Sequence, residues 1–424
     1  MKIFDRNVVN TILSDMETPK IQILVGTRQV GKTTILNIIE GKLKRDKKQV
    51  IKINLENPEY ANVFNTPQNI IDFLVISGFD LSQRIFLLLD EFQNFPRIDK
   101  VLKFLYDEYK DIKVIATGSS SLLLNRNIKE GLTGRNFIYN VYHFDFYEFA
   151  NVRNSTLLCN MITSDRFIDM PEVTRIIEEY FIFGGYPEVI LHPTLEMKQK
   201  IFSSIYISYL EKDINFFISS ANTFKFSNLV ELLAEQIGCL VNMNSLAETL
   251  RIAHKTVENY LFILEQTFSV KLLPPFCRNK EKEIRRMKKV YFYDLGLRNY
   301  VLKLQRLPLD QGTIAENFAL IEMLRNNDYS IKYWRTKNGT EIDFILESYG
   351  EIIPVEVKYK NRVNTNIIPP NLKSFINQYE IKMAYVLTKN QEGEVMYNGK
   401  RIIFKPIIFA RNINWGAGAE ERGA

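Results

Sequence analysis

Three groups of residues in this sequence have types and spacings suited to chemistry. The first is Gly26-Thr27-Arg28-Gln29-Val30-Gly31-Lys32-Thr33-Thr34. Its Gly-x4-Gly-Lys-Thr pattern lets backbone amides turn inward toward the oxygens of a polyphosphate. Lys32 can then reach the β- and γ-phosphates, and the Thr33 hydroxyl can ligate magnesium. The expectation is a site for ATP with Mg2+, lined by residues 26–34.

The second group lies downstream. Asp90-Glu91 follows the apolar run Ile85–Leu89. A carboxylate at the end of a buried strand is costly without a partner, and magnesium supplies one. Asp90 is expected to hold the metal through water and Glu91 to polarise the attacking water. A surface turn after a strand is the plainer alternative. Thr117 and Ser119 close the next apolar run and are candidates to orient that water. Arg135 is a candidate to stabilise charge at the γ-phosphate, set against the commoner role of a surface ion-pair residue.

The third group is Asp343, Glu356 and Lys358. Strand alternation in Pro354-Val355-Glu356-Val357-Lys358 puts Glu356 and Lys358 on one face. With Asp343 they match the PD-(D/E)xK nuclease pattern: two acids to hold magnesium and a lysine to position or activate a water. Glu316, on a preceding helix, adds a third carboxylate. The pattern is short, and exposed strands often alternate charge, so cleavage is a separate question from fold.

These residues need elements to hold them. Ile21–Val25, Val50–Leu55, Ile85–Leu89 and Val114–Ala116 read as strands, with helical spacing over Thr33–Leu43. Polar residues at strand ends argue for a parallel α/β sheet with its ligand at the carboxyl edge. Beyond residue 150 the pattern turns helical, through Pro171–Phe183 and Leu195–Phe217. Ser245–Leu250, a turn at Arg251–His254 and a helix from Lys255 predict a helix-turn-helix, with Ser245 near the first cap. His254, Lys255, Thr256 and Asn259 are its candidate groove-reading side chains. Ser269–Phe276 reads as a hairpin. The basic stretch 278–289 (Arg278, Lys280, Lys282, Arg285, Arg286, Lys288, Lys289) suits DNA phosphate contacts. Such modules also serve protein–protein contact, and charge runs are often solvated faces. Gln305–Gly312 reads as a linker and Gly416–Ala424 as a disordered tail.

Composition sets only loose bounds. A chain of 424 residues suggests two to four domains, and its net charge of +6 permits a nucleic-acid partner without requiring one. Cys159, Cys239 and Cys277 lie far apart with no CxxC pairing, as expected of packing residues. No apolar run is long enough for a signal peptide or a membrane span, so the expected location is cytoplasmic.

Taken together the residues resemble a large prokaryotic family, usually labelled "ATP-binding protein" or "AAA family ATPase", that joins an AAA-type ATPase domain to a C-terminal domain of unknown function. The segments are GTRQVGKTT (26–34), LLLDEFQ (87–93), ATGSSSLLL (116–124), GLTGR (131–135), GGYPE (184–188), SLAETLRIAHKTVENYL (245–261), YFYDLGLRN (291–299), TEIDF (340–344) and PVEVKYK (354–360). Thr27 stands where the family often has proline. The resemblance implies a P-loop AAA-type α/β domain over 1–150 and a helical lid over 151–223. It also implies a winged-helix domain over 224–304 and a restriction-endonuclease-like α/β domain over 305–415, before the tail 416–424.

Three functions fit these residues. One is a DNA-associated ATPase whose nucleotide state controls the C-terminal half. The second is an ATP-gated, Mg2+-dependent nuclease. The third is a scaffold or signalling ATPase, similar to STAND regulators, that binds a protein partner, with homo-oligomers expected in that case.

Overall fold

The computed structural model describes residues 4, 6–60, 63–95, 98–119, 131–215, 217–279, 281, 283, 286–325 and 329–413. The expected tail, 416–424, lies outside them, as do Lys280, Lys282 and Arg285 of the basic stretch. The chain divides into two compact units. One comprises Met1–Phe144, Tyr186–Thr223 and Leu261–Ser269; the other Asp145–Gly185, Phe224–Tyr260 and Val270–Ala424. The expected boundary at 150 and the expected lid 151–223 are both cut by this division.

The first unit is built on a five-stranded parallel sheet in the order β2-β3-β4-β1-β5. The strands are β1 (Ile21–Gly26), β2 (Gln49–Asn54), β3 (Ile85–Asp90), β4 (Ile112–Ser119) and β5 (Asn136–Asn140). β1, β3 and β4 are buried at every residue. That is why they read as unbroken apolar runs: both faces are covered. Helices α1 (Asn7–Ser14), α2 (Lys32–Arg45), α3 (Pro67–Ile76) and α4 (Ile98–Glu108) accompany the sheet. α3 starts where Thr66 accepts the Asn69 N–H at 3.2 Å, with Pro67 in its first turn. One face of the sheet packs Ile23, Val25, Leu87, Leu89, Val114 and Ala116 against Ile70, Leu74, Leu102 and Leu105. β1 lies between β4 and β5 although its chain continues to β2, so the loop after β1 opens at a switch point.

The second unit contains a six-stranded mixed sheet, β12-β13-β11-β10-β9-β8. Its strands are β8 (Ser330–Arg335), β9 (Glu341–Ser348), β10 (Glu351–Lys358), β11 (Met383–Thr388), β12 (Gly393–Tyr397) and β13 (Lys400–Pro406). β10 runs antiparallel to β9 and parallel to β11. Trp334, Phe375 and Tyr379 form part of the core on one side of the sheet, with the Trp334 and Phe375 ring centroids 5.1 Å apart.

Helices Met243–Leu250 and His254–Gln266 flank the expected turn. The first helix is capped by Asn242, which accepts from the N–H groups of Asn244 and Ser245, so Ser245 is not the cap. The expected hairpin at Ser269–Phe276 is a single strand, β6 (Val270–Leu273). Its antiparallel partner is β7 (Lys289–Phe292), beyond the basic stretch. Local sequence could not show this pairing because the connection is long and charged rather than a tight turn.

Two motifs hold each other in place within this unit. Asp294 caps the helix Leu295–Val301 by accepting the Leu297 N–H at 2.7 Å, and it also accepts the Gly185 N–H at 2.7 Å. Gly184, at φ 63°, leaves no room for a side chain: a Cβ there would lie 2.3 Å from the Asp294 carboxylate. Asn299 donates to the carbonyls of Phe181 and Ile182, closing the end of the helix Pro171–Phe183.

Candidate functional site

The loop after β1 turns through two left-handed residues, Gln29 at φ 61° and Gly31 at φ 92°. Gly31 then leads into α2, whose N-terminus carries no side-chain cap. A loop of this curvature ahead of a helix start offers amide hydrogens and the positive end of the helix dipole to an anion. Gly26 cannot carry a side chain, since its Cβ would meet the Val141 carbonyl oxygen at 2.2 Å. Lys32 is buried, and its ammonium donates to the carbonyls of Gly26 (3.0 Å) and Thr27 (2.9 Å). Thr33 and Thr34 are exposed, Arg28 is half-buried, and Val30 is buried beneath the loop.

Asp90 ends β3, 4% exposed, and accepts a hydrogen bond from the Thr117 hydroxyl on β4. That hydroxyl in turn accepts the Glu91 N–H at 3.2 Å. Glu91 stands in the left-handed region at φ 53°, and Gln93 donates to its Oε2 at 2.6 Å. Ser119 ends β4 and is buried. Strand pairing therefore carries Gly26, Asp90 and Ser119 to the carboxyl edge of one parallel sheet: β1 pairs Gly26 with Ser119, and β3 pairs its neighbour Leu89 with Ala116. The buried Asp90 carboxylate at the carboxyl edge and the exposed Thr33 hydroxyl at the start of α2 are oxygen donors of the kind that suits a hard divalent cation such as Mg2+.

Arg135 needs correction. It immediately precedes β5, and its carbonyl accepts the N–H of Ile21, the first residue of β1. It therefore lies at the amino edge of the sheet, about 17 Å along β1 from Gly26 at the usual strand rise. Its guanidinium is committed to Asp107 through bonds of 2.9 and 3.1 Å. It does not reach this chain's own phosphate loop.

Sequence spacing missed two residues that hold the loop. Arg6 is buried and donates to the carbonyls of Val30 and Tyr142, both at 2.7 Å, while its guanidinium lies 4.8 Å from the Phe144 ring centroid. His143 places Nε2 3.4 Å from the Thr27 hydroxyl and packs against Tyr186, with ring centroids 4.0 Å apart and planes tilted by 58°. No local motif marks either residue. Both act across long sequence separations.

In the second unit Glu316, Asp343, Glu356 and Lys358 lie near enough to feel one another's charges. The Val357 N–H donates to Asp343 Oδ2 at 2.8 Å, and Lys358 pairs with Glu356. Burial, then the charges of Glu316 and Glu356, push the Asp343 carboxyl well above the usual carboxylate range. Burial raises Glu356 too, against the pull of Lys358. Burial works against the Lys358 ammonium, but Glu356 together with Asp343 and Glu316 offsets it and leaves its pKa raised. Glu356 Oε2 is buried without a hydrogen-bond partner. A buried, unpartnered carboxylate oxygen among repelling acids is a group that a cation would satisfy. The present side-chain placement is not a ready cage, however: among the described residues no three such groups are arranged to hold a metal ion.

The basic stretch also needs correction at Lys289. This residue is 2% exposed and pairs with Glu316 at 3.1 Å and with Glu341, so it offers nothing to DNA phosphates. Lys288 is exposed; Arg278 lies 5.2 Å from the Tyr379 ring centroid, and Arg286 donates to the Arg335 carbonyl at 3.4 Å.

Comparison with known proteins places these sites in context. Residues 18–150 match the family model of an AAA domain. Residues 174–307 match a domain of unknown function (DUF8612), and residues 311–407 another (DUF4143). The AAA match supports an ATP-binding ATPase. An uncharacterized protein of Haemophilus influenzae is 25% identical over 411 residues, 94% of this chain and 96% of its own length. An uncharacterized protein of Methanocaldococcus jannaschii is 27% identical over 358 residues, 82% of this chain and 76% of its own. Among solved structures, the replication initiator DnaA bound to AMPPCP and single-stranded DNA is 14% identical, covering 63% of this chain and 89% of that one, with a TM-score of 0.31. Cdc6p from Pyrobaculum aerophilum is 13% identical, covering 70% and 91%, with a TM-score of 0.27. Among the described residues no helix is long and apolar enough to cross a membrane.

Proposed function

We propose that the chain binds ATP with Mg2+ at residues 26–34 and hydrolyses it, and that its nucleotide state controls contacts of the C-terminal half with DNA. The hydrogen-bonded trio Asp90–Thr117–Glu91, beside the loop that holds Lys32, carries this reading. Thr117 ties the Asp90 carboxylate to the backbone at Glu91, so that one hydroxyl links the two acids at the sheet edge. Lys32 and the loop amides bind and orient the phosphates; Thr33 and Asp90 would hold the metal; Glu91 takes up a proton from the attacking water. Magnesium, when bound, neutralises charge on the phosphate oxygens. The helix pair Met243–Leu250 and His254–Gln266 with the β6–β7 ribbon supports a winged-helix reading. His254, Lys255 and Asn259 are exposed on it.

ATP turnover measured with and without DNA, for wild type and Glu91→Gln, tests the proposal. Wild type should turn over ATP, and Glu91→Gln should bind it with little turnover. Absence of any salt-sensitive DNA affinity would remove the DNA half of the reading.

A second reading, an ATP-gated Mg2+-dependent nuclease, is favoured by the orphaned Glu356 oxygen in the carboxylate centre. Incubation of plasmid and branched DNA with Mg2+, with Asp343→Ala as control, decides it. Equal cutting by both forms would mean a contaminant.

A further inference from the structure

The carboxylate centre already contains a cation that the nuclease-like pattern does not include. Lys289 and Tyr291 alternate onto one side of β7, and both donate to the same oxygen, Glu316 Oε1. The Lys289 ammonium also pairs with Glu341, two residues before Asp343 on β9. Burial opposes its charge, and Glu316, then Asp343 and Glu341, together more than offset that and hold its proton on. The remaining oxygens are partly committed: Asp343 Oδ2 to the Val357 N–H and Glu356 to Lys358. Glu356 Oε2 is the buried oxygen left over.

A lone buried lysine is costly, and so is a buried cluster of acids; each lowers the other's cost here. Glu316, Asp343 and Glu356 would hold a divalent ion, and the Glu316 oxygen that would serve is the one to which Lys289 and Tyr291 donate. Its charge would also repel an ammonium kept in place. We propose that Lys289 is the resident cation of the carboxylate centre and competes with a divalent metal for it. A metal then enters only as Lys289 gives up Glu316. This rests on the metal-holding reading of the centre given above, and it adds that the centre is closed by the chain's own side chain.

The test uses the full chain without nucleotide and Mn2+ as the probe, read by electron paramagnetic resonance titration. Lys289→Met, which keeps the apolar stem, should bind one Mn2+ about tenfold more tightly than wild type. The gain should vanish in Lys289→Met with Asp343→Asn. Lys289→Gln should show the same gain, which covers the case of a poorly folded methionine variant. In wild type, millimolar Mn2+ should raise the reactivity of Lys289 toward an amine-acetylating reagent, read by peptide mass spectrometry. Wild-type affinity equal to that of the variants, a gain that survives Asp343→Asn, or Lys289 reactivity indifferent to Mn2+ overturns the proposal while leaving the metal reading standing. If neither wild type nor variants bind Mn2+, both fall.

Discussion

Thr117 on β4 joins the two acids that end β3: its hydroxyl donates to Asp90 and accepts the Glu91 N–H at 3.2 Å. Thr117→Val keeps the shape and removes both bonds. Turnover should fall about 10- to 100-fold while ATP affinity changes little, because the bonds align the hydrolytic acids and not the phosphates. Thr117→Ser should retain most of the rate. Steady-state hydrolysis beside fluorescent-nucleotide titration separates the two quantities, and an unchanged rate in Thr117→Val would remove the positioning role.

Arg6 should matter to nucleotide binding although it precedes the phosphate loop by some twenty residues of sequence. Arg6→Ala withdraws its donors from the carbonyls of Val30 and Tyr142, at a cost on the order of 2–4 kcal/mol. ATP affinity should drop about tenfold. Arg6→Lys cannot span both acceptors in fork geometry and should recover only part of the loss. Calorimetric titration with ATP and a denaturation curve report the two effects.

Gly184→Ala should destabilise the second unit. The backbone stands at φ 63° and ψ −153°, a region almost reserved for glycine, and the added methyl meets the Asp294 carboxylate. A loss of about 3 kcal/mol is expected from strain and clash together. A urea midpoint equal to wild type would mean that the Gly184–Asp294 approach is slack.

Asp294 sets a pH dependence. Burial pushes its pKa up to about 6, against the hydrogen bonds from Gly185, Leu297 and Gly296. In the unfolded chain it titrates near about 3.9. The folded form holds the proton more tightly, so this group's contribution to stability is full below pH ~4 and is lost as pH rises through about 6. Asp294→Asn should flatten that part of the stability profile. Urea midpoints measured across the window for both proteins check it; parallel slopes would rule out Asp294 as the source.

The chemistry-bearing residues of the nucleotide site were legible because their geometry is local. A loop between strand and helix, and an acid at a strand end, are fixed by neighbours in sequence, so Gly26–Thr34 and Asp90 landed where spacing predicts. The same holds for Glu356 and Lys358, which share a face by strand alternation alone. Arg135 misled for the same reason: its distance in sequence from Ser119 says nothing about which edge of the sheet it occupies. The parallel β1–β5 pairing put it at the amino edge.

By itself, then, the sequence determined four strands of the first sheet, the phosphate loop, the acids and the lysine of the nuclease-like pattern, each set by backbone preference over a few residues. Only the tertiary structure decided that Arg6 and His143 brace the loop, that Asp294 grips Gly185, and that Lys289 leaves the basic stretch for the carboxylate centre. These are contacts between residues far apart in the chain. They follow from strand order and burial, because a buried donor or charge must find its partner wherever the fold brings one.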